Sequence, residues 1–166
     1  TDITEHTAAK EKMRFSRQRL RDMIDSAPDA IVSVDMAGKV LTWNRRAARM
    51  FGYTAKEIAG KSLVGLMPER FRDGHSAGLA RANTGGKNRM FGAMMELVGL
   101  RKNGEEFPIE LTLSSTMRED KRIHTGIIRD VSALSQAKKA LRDSEQLYQT
   151  IAANVPGVVY QRVRRP

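Results

Sequence analysis

The stretch from residue 101 to residue 113 decides the fold, and it reads RKNGEEFPIELTL. Asn103 and Gly104 form a dipeptide typical of a tight β-hairpin turn, because both residues tolerate a left-handed backbone. After this turn, apolar residues alternate with polar ones, which is the period of a strand with one buried face. These apolar residues are Phe107, Ile109, Leu111 and Leu113. The stretch therefore predicts a hairpin within an antiparallel sheet.

Four further segments read as strands of the same sheet. Met90 to Arg101 precedes the hairpin turn, and Ile123 to Arg129 follows the alternating strand. Near the start of the chain, Ala30 to Val34 and Lys39 to Trp43 are joined by a turn over residues 35–38, which predicts a second hairpin.

Short helices are predicted between the second and third strands. Asn44 can cap a helix over Arg45 to Phe51, with Gly52 as its left-handed end. Thr54 and Glu57 have the spacing of a capping box, and residues 70–82 indicate a longer helix. The order of elements predicts an α+β domain in which a five-stranded antiparallel sheet carries short helices on one face.

Two amphipathic helices flank this domain. The first, over residues 8–25, has apolar positions spaced by seven, is interrupted by Arg17 and ends at Pro28. Its apolar positions are Met13, Leu20, Ile24 and Ala27. The second begins at Ser132 and has the three-and-four spacing of a coiled coil up to Ala153. Its seam consists of Leu134, Ala137, Leu141, Ser144, Tyr148 and Ile151. Because one small domain cannot bury both seams, we expect a homodimer held by these helices.

An internal repeat sets the expected domain boundaries. The segment 26–32 recurs in outline at 154–160, and Met23 matches Ile151 at the same offset of 128 residues. We therefore expect an array of similar domains. The predicted divisions are an N-terminal helix (1–25), a complete domain (26–132), a linker helix (133–153) and the start of a second domain (154–166).

The net charge of +10 raises the question of nucleic-acid binding. Acidic residues accompany the basic ones in the N-terminal stretch, and aromatic residues make up only 5% of the chain. We therefore expect a solvated cationic surface and no nucleic-acid partner. The basic residues of that stretch are Lys10, Lys12, Arg14, Arg17, Arg19 and Arg21, and the acidic ones are Asp2, Glu5, Glu11, Asp22 and Asp25.

The chain contains no cysteine. Disulfides, thiolate metal sites and cysteine nucleophiles are thereby excluded, and a cytoplasmic location is expected. No apolar run reaches the roughly 18 residues that would span a bilayer, so no membrane contact is expected from this segment. Neither a complete phosphate-binding loop nor a catalytic triad emerges from the spacing, so we do not expect an enzyme.

A series of short motifs between residues 20 and 133 occurs in register. They are Ala27–Ala30, Trp43–Asn44, Ala47–Ala48, Phe51–Tyr53, Glu57–Ile58, Gly60–Lys61, Met67–Pro68, Arg101–Gly104, Phe107–Pro108, Glu110, Gly126 and Ile128–Ser132. Together they resemble the PAS (Per-Arnt-Sim) family of sensory domains. The resemblance implies the PAS fold, a pocket between sheet and helices, and signal-transmitting helices at both ends.

Asp130, Val131 and Ser132 resemble the family's junction between the sheet and the output helix. The resemblance implies a regulatory input module that relays a ligand or redox state to an output domain. The expected partners are neighbouring PAS and output domains of the same chain, for example those of a two-component histidine kinase or a cyclic-dinucleotide enzyme. The alternative is a cofactor-free module for dimerisation and relay.

Haem b is the cofactor expected if the pocket holds any. His6 lies in the leader and His124 at a strand start, whereas His75 lies on the helix bordering the implied pocket, where neutral imidazole can bind iron. The segment starting at Met67 resembles the haem-binding PAS domains of rhizobial oxygen sensors, which carry their axial histidine at the place of His75. In those sensors, propionate partners fall at Arg81 and Arg89.

The distal side of this expected haem site is apolar. Leu111 and Leu113 match distal aliphatic residues of the rhizobial sensors, and we expect Ile127 to complete the wall. Met95 stands at the place of their oxygen-binding arginine, and a thioether cannot donate a hydrogen bond. We therefore expect weak oxygen binding or six-coordinate iron. Met95 or Met94 could serve as the sixth iron ligand, although a pair of methionines on a buried strand is more often part of core packing.

Overall fold

A computed structural model describes residues 2–85 and 90–155 of the chain. The chain divides into two compact units, Thr1–Val131 and Ser132–Pro166. The helices of the first unit are α1 (Asp2–Ser26), α2 (Arg45–Phe51), α3 (Ala55–Ile58) and α4 (Glu69–Asn83), with a 3-10 helix at Leu63–Leu66. Its strands are β1 (Ala30–Val34), β2 (Val40–Trp43), β3 (Met94–Leu100), β4 (Glu106–Arg118) and β5 (Lys121–Asp130). The second unit contains α5 (Ser132–Asn154).

The five strands form one antiparallel sheet in the order β2-β1-β5-β4-β3. One face of the sheet, which we call the inner face, buries its side chains against α2, α3 and the 3-10 helix. The inner face contributes Ala30, Val32, Val34, Phe107, Ile109 and Ile128 to the core, and the helices contribute Ala47, Met50, Phe51, Ile58 and Leu66. The α+β prediction, with helices on one face of a five-stranded antiparallel sheet, is confirmed.

The side chain of Asn44 joins three elements at the edge of this core. Its Oδ1 accepts hydrogen bonds from the backbone of Ile31 (3.0 Å) and of Ala47 (2.9 Å). Its Nδ2 donates to the backbone oxygens of Ile24 and Asp29. Asn44 is only 1% exposed, so each of its polar atoms is satisfied where water cannot reach. The predicted cap of α2 is confirmed, and the same residue also holds the end of α1 and the start of β1.

The largest differences from the sequence prediction lie in α1, in the segment before α4 and at the start of β3. Helix α1 starts at Asp2 rather than at residue 8, and the 3-10 helix was not predicted. Strand β3 starts at Met94 rather than Met90. Gly92 interrupts that segment at φ 78°, and its N–H donates to the carbonyl of Leu113 (3.0 Å). A positive φ is incompatible with a regular strand, so the ladder begins only after this residue. The predicted start of a second domain, 154–166, lies mostly outside the described residues.

Candidate signal-sensing site

His75 lies on α4 and lines a cavity of about 240 Å³. The cavity is bounded by the β1–β2 turn at Met36 and Gly38, by Val64 of the 3-10 helix and by Leu79 of α4. His75 is half-buried, and its Nδ1 is a buried atom with no hydrogen-bond partner among the described residues. Burial lowers the pKa of His75, because water cannot solvate the imidazolium there. The imidazole is therefore neutral at pH 7, and its chemistry suits a metal ligand.

The proposed distal residues lie on the sheet rather than around this cavity. Leu111 and Leu113 are half-buried on the inner face, and Met95 pairs with Leu111 across the β3–β4 ladder. Leu111 Cδ1 lies 3.0 Å from the point where a Cβ would stand on Gly126. Leu111 therefore fills the space that the missing side chain leaves above β5. The residues that line the cavity beside His75 do not include these three side chains.

Ile127 does not belong to the apolar wall, and its assignment there is wrong. It pairs with Ile31 and with Thr112, and it is 48% exposed on the face opposite to the core. Its neighbour Ile128 is 6% exposed and takes the inward position. Successive residues of a strand point to opposite faces, so a shift of one position exchanges inside and outside.

Of the two proposed propionate partners, Arg81 belongs to the described part of the chain and Arg89 does not. Arg81 is exposed near the end of α4. Ligand pockets for cofactors usually enclose about 300–1,000 Å³, which exceeds the cavity beside His75. In this arrangement the described residues do not fit a haem, although the unpartnered Nδ1 of His75 has the right chemistry.

A second histidine, His124, is the more buried of the two and was not expected to belong to the site. It is 5% exposed on the inner face of β5, and its Nε2 lies 2.9 Å from Oδ1 of Asn83 on α4. Asn83 also donates from Nδ2 to the backbone oxygen of Met36 (2.7 Å), which fixes the orientation of its amide. The oxygen of Asn83 must then accept, so Nε2 of His124 carries the hydrogen.

The surroundings of His124 keep it neutral. Its ring stacks on Phe91 at a centroid distance of 5.8 Å, and its Nδ1 has no hydrogen-bond partner among the described residues. Burial first, and then the positive charge of Arg122, lower the pKa of His124. On β4 the opposite position is held by Ser115, whose Oγ is buried and also lacks a described partner. Strand alternation with Gly126 and Ile128 was the sequence signal that could have placed His124 inward.

Arg101 forms a cluster of contacts at the other end of the inner face. Its Nη2 donates to Oδ2 of Asp130 (2.7 Å), and its Nη1 donates to the backbone oxygen of Met50 at the end of α2 (2.5 Å). The guanidinium lies 3.6 Å from the ring centroid of Phe107, and Nε lies 3.4 Å from Glu105. Planar guanidinium donates in several directions at once, which suits it to join separate elements. Asp130 was predicted from the sequence as part of the junction, whereas its pairing with Arg101 was not.

The residues before α5 are tied to the start of β4 and to α2. Val131 donates its backbone N–H to the carbonyl of Pro108 (3.2 Å), and Lys102 donates its own to the carbonyl of Phe51 (2.8 Å). Ser132 is the first residue of α5 in the second unit. Asp130 and Val131 therefore lie where the sheet, the β3–β4 hairpin and α2 are joined.

The described part of the chain, residues 2–85 and 90–155, contains neither a membrane-spanning helix nor a cluster of possible metal ligands. None of its helices is long and apolar enough to cross a membrane. Its histidine, aspartate and glutamate side chains form no group of three that could hold a metal ion.

Comparison with known proteins identifies signalling relatives. The chain is 27% identical over 142 residues to the sensor protein FixL of Bradyrhizobium diazoefficiens, which covers 86% of this chain and 28% of FixL. It is 27% identical over 111 residues to the oxygen sensor protein DosP of Escherichia coli, which covers 67% of this chain and 14% of DosP. The chain thus corresponds to a small part of each relative.

Solved structures and family comparison agree on the fold. The PAS domain of an HTR-like protein from Haloarcula marismortui superposes with a TM-score of 0.63 at 20% sequence identity, covering 75% of this chain and 98% of that domain. A family profile described as the PAS fold matches residues 18–131. The match spans the whole sheet, the intervening helices and the junction up to Val131. This chain belongs to the PAS family of sensory domains.

Proposed function

We propose that this PAS domain is a regulatory input module that passes the state of its core through Asp130, Val131 and Ser132 into α5. The observation that carries this proposal is the set of contacts around Arg101. One side chain there contacts the end of β5 at Asp130, the end of α2 at Met50 and the core ring of Phe107.

The energetics of the Arg101–Asp130 pair suit coupling. The two side chains are 20% and 22% exposed, so the pair is screened less than an ordinary surface ion pair. A displacement of α2 or of the Phe107 ring would move the guanidinium, and Asp130 would lose a charge-assisted hydrogen bond unless it followed. Changes in the core are thereby converted into changes at the last residues of the sheet.

The wider biological setting is also part of the proposal. We infer that the parent is a multidomain signalling protein, because FixL and DosP are named as sensor proteins and extend far beyond the matched region. The partners are then a second copy of the chain, which pairs through α5, and neighbouring PAS and output domains in the cytoplasm. The seam of α5 supports pairing, since Leu134, Leu141 and Tyr148 are 50%, 62% and 72% exposed.

The relay requires no haem, and the cofactor-free alternative is the one that the described residues support. Leu111 packs over Gly126 in the centre of the inner face, where a ligand between sheet and helices would lie. The specific observation in favour of haem is the unpartnered Nδ1 of His75. The hemin experiment described in the Discussion separates the two hypotheses.

Hydrogen–deuterium exchange on the full chain tests the relay. Asp130→Ala should accelerate exchange at the end of α2, which the Arg101 cluster holds, and, if the relay operates, in the first turn of α5. Asp29→Ala is the matched control, because Asp29 pairs with the adjacent residue Arg129 (2.9 Å) and that arginine is 61% exposed. If Asp130→Ala leaves α5 unchanged, or if the control has the same effect, the proposed relay is wrong.

A further inference from the structure

Helix α1 presents an apolar seam bordered on both sides by positive charge. Met13 and Leu20 are 57% and 58% exposed, and all side chains from His6 to Met23 are exposed. Both of these exposed seam residues, Met13 and Leu20, are preceded and followed by a basic residue, and a further arginine lies between them. Lys12 and Arg14 flank Met13, Arg19 and Arg21 flank Leu20, and Arg17 lies between the two. Neighbours in sequence lie about 100° apart around a helix, so these cations form the two edges of the seam.

The described acidic side chains of α1, those of Glu11, Asp22 and Asp25, do not neutralise these edges. Glu11 and Asp22 are each two positions from a seam residue, which places them on the opposite side of the helix. Asp22 accepts a hydrogen bond from Gln18 (2.8 Å), and Asp25 accepts one from the backbone of Arg45 (3.0 Å). Among the residues whose side chains the structure describes, no ion pair involves α1. The accompanying acids in the sequence therefore leave the seam strongly basic.

We propose that α1 docks an acidic amphipathic helix, one whose own apolar seam is bordered by glutamate or aspartate. Facing charges beside the seam select partners of paired helices, so basic edges match acidic ones. Two copies of α1 side by side would instead place like charges opposite each other. Helix α5 differs in this respect, because Leu134 and Tyr148 have uncharged neighbours on both sides. This inference does not rest on the proposed relay.

The narrow apolar seam of α1 fits an acidic helix better than it fits an anionic membrane or a nucleic acid. A membrane-surface helix needs a broad apolar face rich in Trp, Phe and Leu, whereas Phe15 lies outside the seam of α1. A nucleic acid would match the charges but would place phosphates against Met13 and Leu20, which gain nothing from that contact. A partner helix satisfies both features, because it covers the seam with apolar side chains and the edges with carboxylates.

A designed peptide provides the test. The probe is a labelled synthetic helix of about four heptads with an isoleucine–leucine seam and glutamate edges, and its matched control carries lysine at the edges. Binding to the full chain is followed by fluorescence anisotropy. We expect the glutamate peptide alone to bind, with affinity falling at least about tenfold between roughly 50 mM and 500 mM NaCl, since exposed charges are screened.

Charge reversal on the protein completes the test. Arg14→Glu, Arg17→Glu and Arg21→Glu combined should abolish binding, while the same change at Lys138, Lys139 and Arg142 of α5 should not. Circular dichroism checks that both variants remain folded. Equal binding of the two peptides, or binding that survives reversal on α1, would overturn the proposal. So would tighter, α1-dependent binding to phosphatidylserine vesicles or to duplex DNA than to the glutamate peptide, or cysteine cross-linking of two copies through Leu20→Cys.

Discussion

The two ends of the inner face differ in whether their buried polar groups have hydrogen-bond partners. At the junction end, the guanidinium of Arg101 has a partner in each direction, including Asp130 and the carbonyl of Met50. At the far end, His124 and Ser115 carry buried polar atoms without a partner among the described residues. A satisfied network holds one geometry, whereas an unsatisfied buried group costs about 1–3 kcal/mol and favours any change that relieves it. We therefore expect the junction end to hold its geometry more firmly than the end around His124.

The largest effect on stability is expected from removing the side chain of Arg101, which joins α2, β5 and Phe107 at the junction end. Arg101→Ala leaves Asp130 without its cation and Phe107 without its cation–π contact, and we expect a loss of about 2–3 kcal/mol in the free energy of unfolding. Urea denaturation followed by circular dichroism measures this loss. Arg81→Ala, at an exposed position on α4, is the control and should change stability by less than about 0.5 kcal/mol. Similar losses of stability in both variants would show that the contacts of Arg101 do not stabilise the fold.

The far end should make stability depend on pH. The pKa values of His75 and His124 are lowered in the folded protein, so the unfolded chain binds more protons once the pH falls below about 6.5. The contribution of these two histidines to stability should therefore be constant above about pH 7.5 and should fall progressively towards pH 5.

Denaturation series at several pH values on wild type and His124→Gln measure this dependence. Glutamine does not titrate, so the variant should lose part of the slope between pH 7 and pH 5 even if its stability at pH 7 is lower. An unchanged slope would show that His124 does not titrate on unfolding.

A smaller effect on stability is expected at the start of α5. Ser132 is the first residue of α5, and a change at a helix terminus alters stability by about 1 kcal/mol or less, so Ser132→Ala should lower the melting temperature by only a few degrees. The same substitution in the full-length parent protein should alter its output, because α5 is the proposed exit for the signal. Scanning calorimetry measures the effect on stability and an output assay the effect on signalling. Ser135→Ala in the same helix is the control. A variant that unfolds would make this position structural rather than part of the relay.

The smallest effect is expected from hemin. Because the described residues around His75 do not fit a haem, wild type and His75→Ala should both give only the broad absorbance of loosely adsorbed hemin. A sharp Soret band in the wild type that disappears in the variant would establish His75 as the axial ligand. It would also show that the far end opens into a larger pocket than the cavity described above.

Local signals were predictable from the sequence, and pairings across the sheet were not. The caps at Asn44 and Thr54 and the left-handed end at Gly52 depend on residues within a few positions, and the structure contains all three. The start of β3 was misplaced because Gly92 breaks the strand by its backbone conformation, which composition does not reveal.

The candidate site was harder to predict because its members are distant in sequence. Arg101 and Asp130 are 29 positions apart, and Asn83 and His124 are 41 apart. The inward position of His124 and the outward position of Ile127 both depend on the register of β5, and the adjacent isoleucines at 127 and 128 make the inward face ambiguous unless the alternation is followed back to His124. Asp130 was predicted from the family resemblance, whereas its partner Arg101 was identified only from the structure.

The single amide of Asn44 has a consequence for how the exposed helix communicates with the core. Because it binds backbone groups of α1, β1 and the first turn of α2 together, the last turn of α1 cannot fray without opening the domain at the same place. These segments should exchange and melt as one cooperative unit. Anything that binds α1 only in its helical form then adds its binding free energy to the stability of that unit, in proportion to the logarithm of its concentration. A partner bound to α1 would thus change the stability of the domain core, although no ligand enters the core.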